Sequence, residues 1–325
     1  MNKRIFLTCC FAFMLLLTGC AKKNSPKTYF TDIDEGVKNA KELNQNILLC
    51  VTMPGSDNYS QNFIKKVFMN ENFQNETMRN YTVILFDFSQ DAYQMAMVQD
   101  GMSDAQKEVA AKQLEMMRKN FSVANDLNIK VTPAVVLLTK DKYFISQVDY
   151  TAERASYTSF KYALEKEQEK IKRINSLVDN VKLSTGMQRV PAIDSLYNAT
   201  PQERRGLLKD LVNELLTLDK DNQSGLVNKY LMIKAENLSL QYFSEGKIEE
   251  AANSYLDICS NPYMKSSDIQ QAYYLAAMIL GYSGNQDYAK IINYLQLAIE
   301  ADPESENVSQ IQILKDSVAN VSNLQ

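Results

Sequence analysis

The 325-residue sequence contains no histidine and no tryptophan. Histidine supplies the imidazole of most zinc sites and the base of Ser-His and Cys-His nucleophiles, so its absence excludes those sites and mechanisms. Positive charge is also in short supply, with 35 lysines and arginines against 39 aspartates and glutamates and a formal net charge of -4. A nucleic-acid-binding protein needs a basic face. We therefore expect no nucleic-acid partner, no metal site and no cofactor.

Cysteine is scarce, with five residues in the chain. Cys9 and Cys10 lie in an apolar N-terminal run, Cys20 follows that run, and Cys50 and Cys259 remain downstream. These last two fall in a predicted strand and on a predicted apolar helix face, where a free cysteine usually behaves as a small buried hydrophobe. A disulfide between them, or one reactive thiol, stays open as an alternative.

The N-terminus has the pattern of a targeting segment. Lys3 and Arg4 precede an apolar run over residues 5–17, which is the length of a signal-peptide core and short for a membrane span. The run ends in Leu17-Thr18-Gly19-Cys20, which resembles the bacterial lipoprotein signal-peptidase box. The resemblance implies that residues 1–19 are a signal peptide and that Cys20 becomes an acylated N-terminus, which would anchor the protein to a membrane.

Residues 20–28 are predicted to be a lipidated tether. Three lysines surround Pro26 without apolar periodicity, which favours a solvated linker over a lipid-headgroup site. Ala21, and not aspartate, follows the lipid cysteine. By resemblance to proteobacterial sorting, this favours the periplasmic face of the outer membrane over the inner membrane. The expected location is the bacterial cell envelope.

An apolar strand over Ile47 to Thr52 is followed by Pro54-Gly55 and then by a helix through Phe68. This segment resembles the thioredoxin-like proteins of bacterial envelopes, in which the strand is followed by Gly-Ser-Asp-Trp-Cys-x-x-Cys. The match puts Tyr59 and Asn62 at the two cysteine positions. Disulfide exchange requires a thiolate, which neither side chain can form. The resemblance therefore predicts a degenerate active site and no enzymatic activity of the thioredoxin kind.

A second motif extends over residues 130–138, where Thr132 and Pro133 precede an apolar run. It resembles the cis-proline loop that faces the cysteine motif in thioredoxin-like proteins. The resemblance implies a cis bond at Pro133 and a groove, formed by Tyr59, Asn62, Thr132 and Pro133, that can hold an extended peptide. The alternative is that these residues only cap a helix and pack a loop.

The remaining elements complete a predicted α/β thioredoxin-like domain over residues 29–151. They are a helix over 31–46, a second strand over 81–88, a Met-rich insertion over 89–120 and a hairpin of 134–139 with 143–149. A helix is predicted within the insertion from Asp104 to Phe121, after Ser103 with Gln106 three residues on. The methionines of the insertion either form an adaptable binding surface or pack the insertion onto its host: Met95, Met97, Met102, Met116 and Met117.

Residues 152–325 are predicted to form an all-α domain. A long charged helix over 152–182 links it to the first domain, and strand patterns are absent beyond it. The acidic segment from Asp219 to Gly225 resembles a calcium loop, but it has Ser224 where glycine is needed and Tyr230 where a bidentate carboxylate is needed. We interpret it as a helix stop and restart.

Residues 227–305 resemble two degenerate tetratricopeptide repeats, with small residues and aromatics near the family's positions. Tyr242 and Tyr282 are equivalent in this alignment and stand 40 residues apart, whereas the usual repeat has 34. The resemblance implies a tetratricopeptide-like helical domain with a surface for peptides or partner proteins.

The sequence thus predicts a membrane-anchored envelope protein with a redox-inactive thioredoxin-like domain, acting as a protein- or peptide-binding scaffold or chaperone-like factor. Its expected partners are the membrane, through the N-terminal lipid, and a protein or peptide. Two alternatives stay open: a solute- or envelope-polymer-binding lipoprotein, and an atypical thiol-disulfide redox protein that uses Cys50 or an unusual partner thiol.

Overall fold

The computed structural model describes residues 29–150 and 155–322. The signal peptide predicted over 1–19, the tether over 20–28 and the lipidation site Cys20 lie outside the described residues. The described chain divides into two compact units, residues 29–124 with 129–169, and residues 125–128 with 170–322. The first unit contains the sheet, and the second is helical.

A mixed four-stranded sheet forms the core of the first unit. Its strands are β1 Ile47–Thr52, β2 Thr82–Asp87, β3 Ala134–Leu138 and β4 Phe144–Gln147, in the spatial order β2-β1-β3-β4. Strand β1 pairs in parallel with β2 and antiparallel with β3, and β3 pairs antiparallel with β4. All six residues of β1 are buried, as expected of an inner strand with both faces covered.

Six α-helices accompany this sheet: α1 Ile33–Leu43, α2 Asn58–Phe63, α3 Met78–Asn80, α4 Gln90–Ala96, α5 Asp104–Asp126 and α6 Tyr157–Glu165. Two π-helical turns, Ile64–Phe68 and Phe73–Thr77, lie between α2 and α3. Helix α1 begins after Asp32, whose carboxylate accepts the backbone N–H groups of Asp34 and Glu35, and it ends at Asn44 with φ 51°.

The start of α5 agrees with the sequence pattern. The Ser103 hydroxyl accepts the Gln106 backbone N–H at 3.4 Å, while the Gln106 side-chain oxygen accepts the Ser103 N–H at 2.9 Å. This reciprocal pair is a capping box, and it fixes the first turn of the helix. The helix extends to Asp126, five residues beyond the predicted end at Phe121.

The second unit is built from α7 Gln168–Leu183, α8 Arg189–Ala199, α9 Lys209–Leu218, α10 Val227–Ser244, α11 Ile248–Cys259, α12 Ser266–Tyr282, α13 Tyr288–Ala301 and α14 Val308–Ser322. Short 3-10 helices, Gly186–Gln188 and Gln202–Leu208, precede α8 and α9. Between residues 155 and 322 the structure has no strand. Helices α10 to α14 pack in sequence around one apolar core rich in fully buried alanines, among them Ala252, Ala272, Ala276 and Ala298.

The long helix predicted over 152–182 is two helices, α6 and α7. Its first part begins at Tyr157, after Ser156, whose hydroxyl accepts the Ser159 backbone N–H. It ends where the Glu167 N–H bonds to the Leu164 carbonyl, an i to i−3 bond that tightens the last turn. The chain then divides at Glu169, and α6 belongs to the first unit.

The acidic turn between α9 and α10 is held by hydrogen bonds from its backbone to one of its own carboxylates. Asp219 accepts the backbone N–H of Gln223 at 2.6 Å and that of Ser224 at 3.2 Å. Asn222 and Gly225 adopt positive φ angles of 52° and 74°. The segment is therefore a helix stop and restart, as the sequence predicts. In the part of the chain that the structure describes, no helix has both the length and the apolar character needed to cross a membrane.

Candidate functional site

Three segments leave the sheet at one edge. Val51 in β1 pairs with Phe86 in β2 and with Ala134 in β3, and the Phe88 N–H donates to the Thr52 carbonyl at 2.9 Å. Strands β1 and β2 end at this row, and β3 begins there. The segments that follow β1 and β2 and the segment that precedes β3 therefore meet the sheet within about 10 Å of one another, which is two strand spacings. The residues predicted to form a groove all lie in the first and last of these segments.

Asp57 joins two of these segments. It is the N-cap of α2, and its carboxylate accepts the Ser60 backbone N–H, the Ser60 hydroxyl at 2.7 Å and the Thr132 hydroxyl at 2.8 Å. The Ser60 hydroxyl in turn accepts the Met53 N–H at 3.0 Å. A single carboxylate thus holds the end of the β1 segment, the first turn of α2 and the loop before β3 together.

These bonds also determine the ionisation of Asp57. Partial burial by itself would raise the pKa of the carboxyl, but the hydrogen bonds from Ser60, Thr132 and the Tyr59 backbone outweigh it and lower the pKa below its ordinary value. Asp57 is consequently an anion at neutral pH, when all of its donors are in place.

The structure brings the four predicted residues to this edge. Tyr59 lies in the first turn of α2 with half of its surface exposed (50%), and Asn62 follows one turn later, partly buried. The Thr132-Pro133 peptide bond is cis, and both residues are partly buried. The Thr132 hydroxyl points to Asp57, so it is already engaged. Val131, which the sequence did not single out, is the most exposed apolar residue of the loop, at 76%.

Neither of the two described cysteines offers a reactive thiol at this edge. Cys50 is fully buried within β1, and burial raises the pKa of its thiol far above the usual range. Cys259 is partly buried in α11, where burial raises its pKa to about 11 and the thiol donates to the Tyr255 carbonyl. Both are free, so the predicted alternative of a disulfide between them is not found. Within 29–150 and 155–322, no group of three or more acidic or cysteine side chains could hold a metal ion.

Asp57 and Ser60 are the site residues that sequence reasoning missed. The signal for the cap was present, because aspartate is one of the residues preferred at the N-cap of a helix. The bond from Thr132 to Asp57 connects residues 75 apart in the chain, and no local pattern encodes it.

The Met-rich insertion presents part of its apolar surface to solvent. In α4, Ala92 and Ala96 are buried against the unit, while Met95 (63% exposed) and Met97 lie outward. In contrast, Met102 is partly buried, and its sulfur accepts the Gln99 N–H at 3.4 Å. Alanines therefore pack this helix onto the rest of the unit, whereas the side chains of Met95 and Met97 remain exposed to solvent.

An apolar cleft of about 230 Å³ lies in the helical unit, between α12, α13 and α14. It is lined by Ala277, Met278, Gly281, Tyr282, Ile291, Leu295, Leu314 and Val318. Tyr282 at its rim is largely exposed. This cleft is a second surface that could receive an apolar side chain.

Comparison with known proteins gives similarities to a family model, to a curated protein and to a solved structure. Residues 226–323, within the second unit, match a family model described as "Uncharacterised protein C-terminal domain". A protein of Treponema pallidum (strain Nichols), described as "Uncharacterized protein", is 23% identical over 202 residues. The match covers 61% of this chain and 66% of that protein, so the chain spans just under two thirds of the length of this relative.

Among solved structures, a protein described as "DsbH Oxidoreductase" is similar over 48% of this chain and 98% of its own. The sequences are 10% identical and the TM-score is 0.31. A likeness at this level assigns neither a fold nor an activity to the present chain.

Proposed function

We propose that this chain is a lipid-anchored protein of the bacterial cell envelope that binds a protein or peptide, as a scaffold or chaperone-like factor. In this proposal the first unit is a thioredoxin-like domain without redox chemistry, and the second is a tetratricopeptide-like domain that adds a binding surface. The lipoprotein box ending at Cys20 supports the anchor.

Strand order and loop position favour a thioredoxin-like interpretation of the first unit. Strand β1 lies inside the sheet, with a parallel β2 on one side and the antiparallel β3-β4 hairpin on the other, and this arrangement supports the interpretation. For the second unit, helices α10 to α13 pack consecutively, with fully buried alanines that let helix axes approach closely, and this fits a degenerate repeat array.

One observation carries the proposal of binding without redox catalysis. Asp57 holds the first turn of α2 and the loop at Thr132 as one preorganised surface, on which Tyr59 and Val131 are exposed and no thiol is present. Exposed aromatic side chains on a rigid frame are the usual anchors of protein recognition, because they bury a large area at a small entropic cost. The burial of Cys50 supports binding over the redox alternative that uses this thiol.

The test measures peptide binding to the full chain by fluorescence anisotropy. The probes are labelled short peptides in which leucine alternates with serine, lysine or glutamate. At least one of the three is expected to bind saturably, and Tyr59→Ala should weaken that binding about fivefold, the loss of roughly 1 kcal/mol.

Tyr162→Ala is the matched control, because Tyr162 is also a well-exposed tyrosine of the first unit, on α6. It should leave the affinity unchanged. If none of the three peptides binds, or if both variants weaken binding equally, the proposed function is wrong.

A further inference from the structure

The three segments that leave the sheet edge described above carry exposed apolar side chains. Tyr93, Met95, Met97 and Val98 follow the end of β2, Tyr59 follows the end of β1, and Val131 precedes β3. We call these six residues the apolar rim. Their three segments start from the same row of the sheet, and this shared origin is the reason for treating them as one surface.

The end of β2 and the segments that follow β1 and β2 carry negative charge. Asp87 ends β2, and Asp57, Asp91 and Asp100 lie in the two segments. None of these carboxylates is within ion-pair distance of a cation of the described chain. The sequence has no lysine or arginine between Arg79 and Lys107. In the loop before β3, Lys130 is the single basic residue. The rim is therefore both apolar and acidic, because the four carboxylates outnumber this one lysine.

Such a surface discriminates between partners by charge. A segment that covers the rim removes water from nearby carboxylates, which is costly unless the segment brings its own cations. Opposite charges also speed the encounter, whereas like charges oppose it. The unbranched thioethers of Met95 and Met97 adapt to side chains of different shape, so the rim fixes the chemical character of its partner more than an exact sequence.

We propose that the apolar rim binds polypeptide segments in which basic and apolar side chains are interspersed. This inference rests on the proposed function, because it names the class of peptide that the same edge would take. An anionic lipid surface and a second copy of the rim are both disfavoured as occupants, since each would set negative charge against the four carboxylates.

The experiment compares the affinities of the three peptides for the full chain. The leucine-lysine peptide is expected to bind at least about tenfold more tightly than the leucine-glutamate peptide, with the leucine-serine peptide between them. Added salt should weaken the binding of the lysine peptide and leave the affinity of the serine peptide nearly unchanged, because salt screens exposed charges but not apolar contacts.

A pair of neutralising substitutions tests whether the rim is the source of the preference. Asp91→Asn with Asp100→Asn removes two exposed carboxylates without changing side-chain size. The double substitution should lower the affinity for the lysine peptide about fivefold, which corresponds to roughly 0.5 kcal/mol for each lost charge pair. Both side chains are exposed, so the fold should tolerate the two substitutions.

The matched control is Glu42→Gln with Glu71→Gln. It removes the same charge from exposed positions that precede the starts of β1 and β2, at the opposite edge of the sheet. Its affinity for the lysine peptide should equal that of the wild type.

The outcomes separate this inference from the proposed function. If lysine, serine and glutamate peptides bind equally, or if the control pair weakens binding as much as the rim pair, charge selection by the rim is overturned while peptide binding stands. If no peptide binds, the proposed function fails and the inference fails with it.

Discussion

At the scale of single residues, the Asp57 side chain has three structural roles. It caps α2, orients the Ser60 hydroxyl and holds Thr132 in the loop before β3. Asp32 caps α1 through two backbone N–H groups. The two aspartates belong to the same unit, so they form a natural comparison.

We predict that Asp57→Ala destabilises the first unit by about 2–3 kcal/mol and Asp32→Ala by about 1 kcal/mol. Loss of a cap accounts for the smaller value. The larger one adds the cost of leaving the Ser60 and Thr132 hydroxyls without their acceptor. Urea titration followed by the near-ultraviolet signal of the tyrosines measures both. Equal costs would mean that the bond from Asp57 to Thr132 contributes nothing.

The lowered pKa of Asp57 predicts a pH dependence of a definite sign. A carboxyl whose pKa is lower in the folded state than in the unfolded state adds stability above about pH 4, and that stability is lost as the pH falls through the folded value. The stability advantage of the wild type over Asp57→Asn should therefore be full at pH 7 and shrink on acidification below pH 4. An advantage that is the same at pH 7 and pH 3 would show that the charge of Asp57 is not involved.

A third residue-scale prediction concerns the missing cysteines. Tyr59→Cys with Asn62→Cys should form an intramolecular disulfide and gain measurable insulin reductase activity, because the two positions stand three apart at the start of a helix, where a thiol pKa is lowered. The activity should be weak, since Asn58 stands where the resembling family has tryptophan. Tyr59→Ser with Asn62→Ser is the inactive control. An active wild type, or a pair that cannot be oxidised, would overturn the alignment.

At the scale of elements, Gly36 shows how closely α1 lies on the sheet. A Cβ at this position would clash with Cδ1 of Ile84, a fully buried residue of β2, and would stand 2.6 Å from its Cγ1. At Gly281 in α12, by contrast, a Cβ would meet nothing within 4 Å.

We predict opposite effects of alanine at these two helical glycines. Gly281→Ala should stabilise the second unit by up to about 1 kcal/mol, the gain in helix propensity. Gly36→Ala should destabilise the first unit by about 1–3 kcal/mol, because overpacking outweighs the same gain. Thermal unfolding of both variants is the measurement. A stabilised Gly36→Ala would mean that α1 can move away from β2 at little cost.

Elements with strong local signals could be predicted from the sequence, and long-range contacts could not. Strands β1 and β2 and the β3-β4 hairpin lie within two residues of their predicted bounds, because apolar β-branched runs stand between clear turn residues. The break between α6 and α7 was missed because neither glycine nor proline marks it. For the site, the positions of Tyr59 and Thr132 were predictable from motifs, whereas the carboxylate that joins their segments was not.

At the scale of the whole molecule, the proposed anchor is the feature with the largest expected consequence. Cys20→Ser should move the protein from the membrane fraction to the soluble fraction and abolish fatty-acid labelling, because the proposal places the acyl chains on this cysteine. Lys22→Ser is a control that leaves the box intact and should remain membrane-bound. Labelling of the Cys20→Ser variant would overturn the lipoprotein prediction.

The burial of the cysteines has a practical consequence for following the motions of the chain. Each compact unit contains one free thiol among the described residues, Cys50 in the first and Cys259 in the second. A thiol-reactive dye can reach Cys50 only when the sheet opens, so its rate of modification reports the free energy of that opening. Cys259 is half-buried on α11, so its modification does not require the helices of the second unit to open. The protein thus carries one internal probe for the opening of the sheet, and Cys259 serves as the reference rate.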